Sequence, residues 1–143
     1  MKDRLFIDTN IICYAYDVRA ADKRKACEKI LEEALSGKIS GVVSNQVLGE
    51  AFTAAVTKIG MPADEVATAV KSLIGSENLE KVNYNYNTIN RAVSDFEESG
   101  VPFWDLVIAE TMKENGIKRI ITENERDFGR IRGIEAVNPF KTQ

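Results

Sequence analysis

The sequence predicts an α/β domain, with a mostly parallel central sheet and helices on both faces. Three observations predict it. The run Leu5-Phe6-Ile7 leads straight into the polar residues Asp8-Thr9-Asn10, and a short apolar run bounded in this way reads as a strand buried on both faces, as in parallel sheets. Runs of that kind alternate along the chain with segments of helical periodicity, the pattern of β-α-β units. The chain of 143 residues is 44% hydrophobic and 29% charged, the size and composition of one ordinary globular domain.

Taken in order, the first strand ends at Asp8 and a short helix covers 10–17. A second helix spans 21–36, with Ala26, Ile30, Leu31 and Leu35 at helical spacing and Gly37 as its stop. Residues 39–43 form a strand, and Ser44 caps a helix that runs to Ile59 and ends at Gly60. Pro62 suits the first turn of a helix reaching Ile74. A third strand covers 78–82, interrupted by Asn83 to Asn87, and a helix follows over 88–98 until Ser99-Gly100. Beyond Pro102 a strongly apolar helix occupies 103–115, residues 117–121 form a strand, and 134–137 form the last one after a polar loop or short helix. The whole of 1–143 reads as a single domain.

Composition narrows the chemistry. The sequence has no histidine, which removes Ser-His-Asp and Cys-His catalysis, His-ligated zinc and the usual neutral-pH base. A net charge of -3 argues against a simple polycationic nucleic-acid binder, although a bound cation can supply positive charge locally. Cys13 and Cys27 lack metal-type spacing and read as free thiols in predicted helices. No apolar run approaches the roughly 20 residues of a membrane span, and the N-terminus lacks a secretory pattern. The expectation is a cytoplasmic protein without a membrane partner.

Four acids fall at element ends rather than on solvated helix faces. Asp8 ends the first strand, Glu50 lies about two turns into the helix that Ser44 starts, Asp105 is in the first turn of the apolar helix, and Asp127 follows the strand ending Ile120-Ile121-Thr122. In parallel sheets the ligand sits outside the carboxyl ends of the strands. Carboxylates gathered there repel one another unless a divalent cation offsets the repulsion, and oxygen donors favour Mg²⁺ or Mn²⁺. Each acid also has a structural reading: Asp8 and Asp127 as caps, Asp105 as a partner of the helix dipole, Glu50 as an ordinary exposed residue.

The pieces Phe6-Ile7-Asp8-Thr9-Asn10-Ile11-Ile12, Ser44-Asn45-Gln46-Val47-Leu48-Gly49-Glu50, Phe103-Trp104-Asp105-Leu106-Val107-Ile108-Ala109 and Ile121-Thr122-Glu123-Asn124-Glu125-Arg126-Asp127-Phe128, with the ending Val137-Asn138-Pro139-Phe140, resemble the PIN-domain family of metal-dependent ribonucleases, especially the VapC-type toxins. The pieces run in family order and, with their spacers, cover nearly the whole chain. The resemblance implies a PIN-like nuclease fold in which Asp8, Glu50 and Asp105 are catalytic and hold Mg²⁺ or Mn²⁺. It implies Asp127 as the fourth such acid and Asn124 as its polar neighbour, with Glu123 a poorer candidate. Thr9, Asn10, Thr122 and Asn124 would steady the carboxylates by hydrogen bonds.

The activity so implied is hydrolysis of RNA phosphodiester bonds by metal-activated water, with Glu50 orienting that water or acting as base, leaving a 5′-phosphate and a 3′-hydroxyl. A VapB-type antitoxin and a homodimer are the implied partners. Arg126, Arg130 and Arg132 are the basic residues expected to contact RNA, being close in sequence to Asp127; Lys23-Arg24-Lys25 reads first as a solvated face. Trp104 reads as packing at a helix start, with base stacking as the alternative. A haloacid-dehalogenase-type phosphotransferase would need an Asp where Asn10 stands, and a receiver domain would need one at the end of the third strand, where the chain has Val82-Asn83-Tyr84. The competing expectation is a catalytically inactive PIN-like module that binds RNA or serves in assembly.

Overall fold

The computed structural model describes residues 3–141. Five strands form one sheet in the order β3-β2-β1-β4-β5, with β1 at Arg4–Ile7, β2 at Ser40–Ser44, β3 at Glu80–Val82, β4 at Arg119–Ile121 and β5 at Glu135–Val137. Every pairing is parallel, so the sheet is wholly parallel where the sequence predicted a mostly parallel one. The helices are α1 (Thr9–Tyr16), α2 (Ala21–Leu35), α3 (Asn45–Ala54), α4 (Ala63–Gly75), α5 (Tyr86–Ser99), α6 (Phe103–Glu114) and the short α7 (Glu125–Phe128).

From β1 the chain moves outward through β2 to β3, then crosses back over β1 to β4 and β5 on the other side. Parallel crossovers are right-handed, so connections that run in opposite directions lay their helices on opposite faces of the sheet. The helices pack accordingly: α1 lies against α2 and α3, α3 against α4, and α5 against α6. The sheet between these layers is apolar on both sides, with Phe6, Ile7, Val42, Val43 and Ile120 fully buried.

Helix starts and stops follow the local chemistry. The Ser44 hydroxyl accepts from the Val47 amide, so the last residue of β2 caps α3 with no loop between them. Gly60, with φ 81°, ends the segment that begins at Asn45, a left-handed cap that glycine adopts at little cost. The helix predicted from Ser44 to Ile59 is continuous, but its last five residues, Ala55–Ile59, form a π-helical turn. Within that turn the Thr57 hydroxyl donates to the Thr53 carbonyl at 2.7 Å, the carbonyl that an α register would give to the Thr57 amide. The helix predicted from 88 begins at Tyr86, because the Asn85 side chain accepts from the amides of Asn87 and Thr88.

Candidate active site

Strand order reverses beside β1, which makes the carboxyl ends of β1 and β4 the switch point where open parallel sheets place ligands. Register fixes what meets there. Phe6 lies opposite Val42 and Ile7 opposite Ile121. The residue after β1, Asp8, is therefore level with Ser44 on one side and Thr122 on the other. The Asp8 amide continues the ladder onto the Ile121 carbonyl at 3.1 Å.

Asp8 is 6% exposed. One carboxylate oxygen, Oδ1, accepts from the Thr9 amide at 2.7 Å. The other, Oδ2, accepts from the Thr122 hydroxyl at 2.7 Å and from Asn10 Nδ2 at 3.3 Å. The capping role and the buried acid coexist in one residue, since the same side chain starts α1. Burial pushes the Asp8 carboxyl above its ordinary range; the Thr122 and Thr9 hydrogen bonds work against that shift, and the nearby Glu50 charge adds to it.

Glu50 lies on α3 with Oε1 accepting from the Thr9 hydroxyl at 3.0 Å and Oε2 from Gln46 Nε2 at 3.4 Å. Gln46 also donates to the Trp104 carbonyl at 3.0 Å, so the start of α3 is tied to the start of α6. That tie brings Asp105 to the same cavity, where Asn124 Nδ2 donates to its Oδ2 at 2.9 Å. Asp105 is pushed up to about 6, chiefly by loss of solvent and then by the charges of Asp8, Asp127 and Glu50.

Asp8, Glu50 and Asp105 thus line one cavity of about 1010 Å³ together with Thr9, Asn10 and Asn124. Asp127 does not line it. Its carboxylate is 3.7 Å from the Arg126 and 3.8 Å from the Arg130 guanidinium, and it reaches the site as a charge acting on Asp105. Thr122 is buried beneath the cavity, where its hydroxyl donates to Asp8 and accepts from the Asn124 amide at 2.9 Å. Glu123 is turned away onto the Tyr14 hydroxyl and Lys23, and Arg24 pairs with Glu28.

Arg126, Arg130 and Arg132 are exposed and outside the cavity lining, and Arg130 also donates to the Ser99 carbonyl. The cations that do line it are Arg19 and Lys58, neither of which sequence reasoning singled out. Gln46 was missed as well, although its place four residues before Glu50 on one helix was a usable signal. Trp104, expected as packing, is 48% exposed and lines the cavity.

The donor set suits a hard divalent cation. It is made wholly of oxygens from Asp8, Glu50 and Asp105, and the repulsion among these carboxylates, which adds to the effect of burial on Asp105, is what such an ion relieves. Among the described residues, no three acidic or thiol side chains stand close enough together to enclose an ion as placed.

Among known proteins, the PIN domain family model matches residues 5–134. A toxin–antitoxin complex from Klebsiella pneumoniae is similar in structure, with a TM-score of 0.67 at 20% identity, over 96% of this chain and 99% of that one. VapBC2 from Rickettsia felis, bound to a DNA fragment from its promoter, has a TM-score of 0.68 at 19% identity, over 94% and 98% of the two chains. VapC20 from Mycobacterium tuberculosis, a sarcin-ricin loop cleaving toxin, has a TM-score of 0.61 at 19% identity, over 81% and 86%. At these identities the likeness is one of fold. No curated protein matches the sequence. No helix among the described residues is long and apolar enough to cross a membrane.

Proposed function

The chain belongs to the PIN-domain family, and from that premise we propose that it is a metal-dependent endoribonuclease, the toxin of a type II toxin–antitoxin pair. The observation that carries the reading is the meeting of Asp8, Glu50 and Asp105 in one cavity at the switch point of the sheet. Three carboxylates from three separate elements, two of them raised above their ordinary range, are an unfavourable arrangement for a module without catalytic use.

Asp8, Glu50 and Asp105 would hold Mg²⁺ or Mn²⁺, with Asp127 adding negative charge from outside the cavity lining. When bound, the ion supplies Lewis-acid stabilisation of the phosphoryl oxygens and a lowered pKa for the attacking water. The chain's own residues do the remainder. Thr9, Asn10 and Thr122 fix the orientation of Asp8 through the hydrogen bonds given above. Asn124 fixes Asp105. Glu50, steadied by Thr9 and Gln46, would orient the attacking water and accept its proton at a carboxylate oxygen. No side-chain nucleophile is required, in keeping with a sequence that has no histidine to activate one.

The toxin reading and a VapB-type antitoxin partner rest on the family and on the resemblance of the fold to toxins solved in such complexes; a homodimer follows the same resemblance. The test is incubation of the purified protein with a pool of structured RNAs in Mn²⁺, Mg²⁺ or EDTA, beside Asp8→Asn. Metal-dependent cleavage that falls at least about 100-fold in the variant is the expected result. No cleavage in any metal, with both proteins folded, would move the reading to an RNA-binding or assembly module.

A further inference from the structure

Three features of the sequence stand outside the cavity lining: Lys23 of the basic run, Glu123, and Phe140 of the ending Val137-Asn138-Pro139-Phe140. The fold brings all three against Tyr14. Glu123 Oε1 accepts from the Tyr14 hydroxyl at 2.6 Å, and Oε2 takes the Lys23 ammonium. That ammonium lies over two rings, 4.9 Å from the centroid of Tyr14 and 5.3 Å from that of Phe140. The rings themselves meet edge-on at 5.6 Å. Asn138 turns the chain back for this contact, its Oδ1 accepting from the Phe140 amide at 2.9 Å. Lys23 is thus confined between a carboxylate and two aromatic rings.

The residues on either side of Glu123 are the ones that reach the acids. The Thr122 hydroxyl donates to Asp8, and Asn124 Nδ2 donates to Asp105. Between them the Glu123 amide donates to Asn10 Oδ1 at 3.3 Å, and Asn10 in turn donates to Asp8. Asn10 and Tyr14 are four residues apart on α1 and so share one helix face. Backbone and side chain of Glu123 therefore fasten on the same face. The Thr122 amide is still held by the sheet, through the Val137 carbonyl at 3.0 Å. Past it the chain leaves the ladder, and Glu123 takes over the hold on α1.

We propose that Glu123 is a positioning residue, whose clamp on Tyr14 and Lys23 fixes the segment 122–124 and, through Thr122 and Asn124, the carboxylates of Asp8 and Asp105. It rests on the metal-site reading only for the choice of Mn²⁺ as probe. Both Glu123 oxygens are occupied by Tyr14 and Lys23, so it acts through its neighbours and not as a ligand. An exposed ion pair adds little to overall stability, and its loss should leave the protein folded. A supporting partner of a metal-binding group, by contrast, is typically worth about 10–100-fold in metal affinity. Fold and positioning are therefore separable.

The test is calorimetric titration of the metal-free protein with Mn²⁺, beside amide hydrogen exchange without metal and a melting curve for each variant. Glu123→Ala and Lys23→Glu should each weaken Mn²⁺ binding about 10-fold or more. The reversed pair, Lys23→Glu with Glu123→Lys, should recover most of that loss, because the two residues act as a unit. Without metal, the Glu123 and Asn124 amides of Glu123→Ala should exchange at least about 10-fold faster. The Thr9 amide, bonded to Asp8, should follow them, while the amides of β1 keep their protection.

Unchanged Mn²⁺ affinity in Glu123→Ala, or unchanged exchange at Glu123, Asn124 and Thr9, overturns the proposal. So does a reversed pair as weak as Glu123→Ala, which would make the carboxylate itself a ligand of the ion. Wild-type protein that binds no Mn²⁺ removes the metal reading instead, and the exchange of the Thr9 amide then decides the clamp by itself.

Discussion

Asp8 shows how much of this site is a matter of single hydrogen bonds. Burial strips water from its carboxylate, and the hydrogen bond from the Thr122 hydroxyl does most to offset that loss. Thr122→Val keeps the side-chain volume but removes the donor to Asp8 and the acceptor for the Asn124 amide. Removing such a supporting partner typically costs about 10–100-fold in metal affinity or activity, so calorimetric titration with Mn²⁺ should show a loss of that size, and an unchanged affinity would remove Thr122 from the site. Asp105 gives a pH prediction. Its pKa in the folded protein is about 6, above the ordinary 3.8, so the stability it contributes is complete below about pH 4 and is lost as pH rises through about 6. Metal-free wild-type protein should therefore melt a few degrees lower at pH 7.5 than at pH 5, and Asp105→Asn should narrow that gap. Melting curves with the same gap in both proteins would contradict the assignment. At this scale Asp8, Glu50 and Asp105, singled out in the sequence for their places at or near element starts and ends, line one cavity, whereas Asp127, expected as the fourth acid, stands outside its lining. The cations of the lining, Arg19 and Lys58, carried no signal in the sequence; Arg126 and Arg130, favoured for their closeness in sequence to Asp127, stand beside its carboxylate and outside the lining.

At the scale of the elements, the strand ends feed helices directly. Asp8 caps α1 and Ser44 caps α3, which is why apolar run, polar cap and helical period could be read in order and why most boundaries fell within a residue or two. What escaped was the π-helical turn at Ala55–Ile59. The hydroxyl of Thr57 competes for a backbone carbonyl there, and neither periodicity nor propensity signals such a choice. That turn carries Lys58, which lines the cavity. Close packing of sheet on helix makes a separate prediction at Gly41 in β2. A Cβ there would lie 2.8 Å from Ala34 Cβ and 3.2 Å from Ile7 Cδ1, so Gly41→Ala should destabilise the protein by about 1–3 kcal/mol. Gly49 is exposed within α3 and has nothing within 4 Å of its would-be Cβ. Gly49→Ala should stabilise by about 0.5–1 kcal/mol through helix propensity. Urea midpoints of the two variants should move in opposite directions; a shared sign would mean that the α2–β2 contact is looser than described.

Across the whole molecule, topology explains why residues 8, 50 and 105 meet. A parallel sheet that is extended first to one side of β1 and then to the other opens a crevice at the carboxyl ends of β1 and β4, and α3 and α6, tied by Gln46 and Trp104, close its walls. The order of the strands could not be read from a single chain, because pairing between β1 and β4 joins residues more than a hundred positions apart. The alternation of strand and helix, which is local, could. Whether these acids hydrolyse RNA with a divalent ion is decided by the end groups of the cleaved strands. With Mn²⁺ the wild-type protein should leave 5′-phosphate and 3′-hydroxyl ends, and both cleavage and ends should vanish in EDTA and in Asp8→Asn. Cleavage that persists in EDTA and leaves 2′,3′-cyclic phosphates would contradict that chemistry, since the attacking group would then be the ribose hydroxyl and the acids would have no part in the reaction.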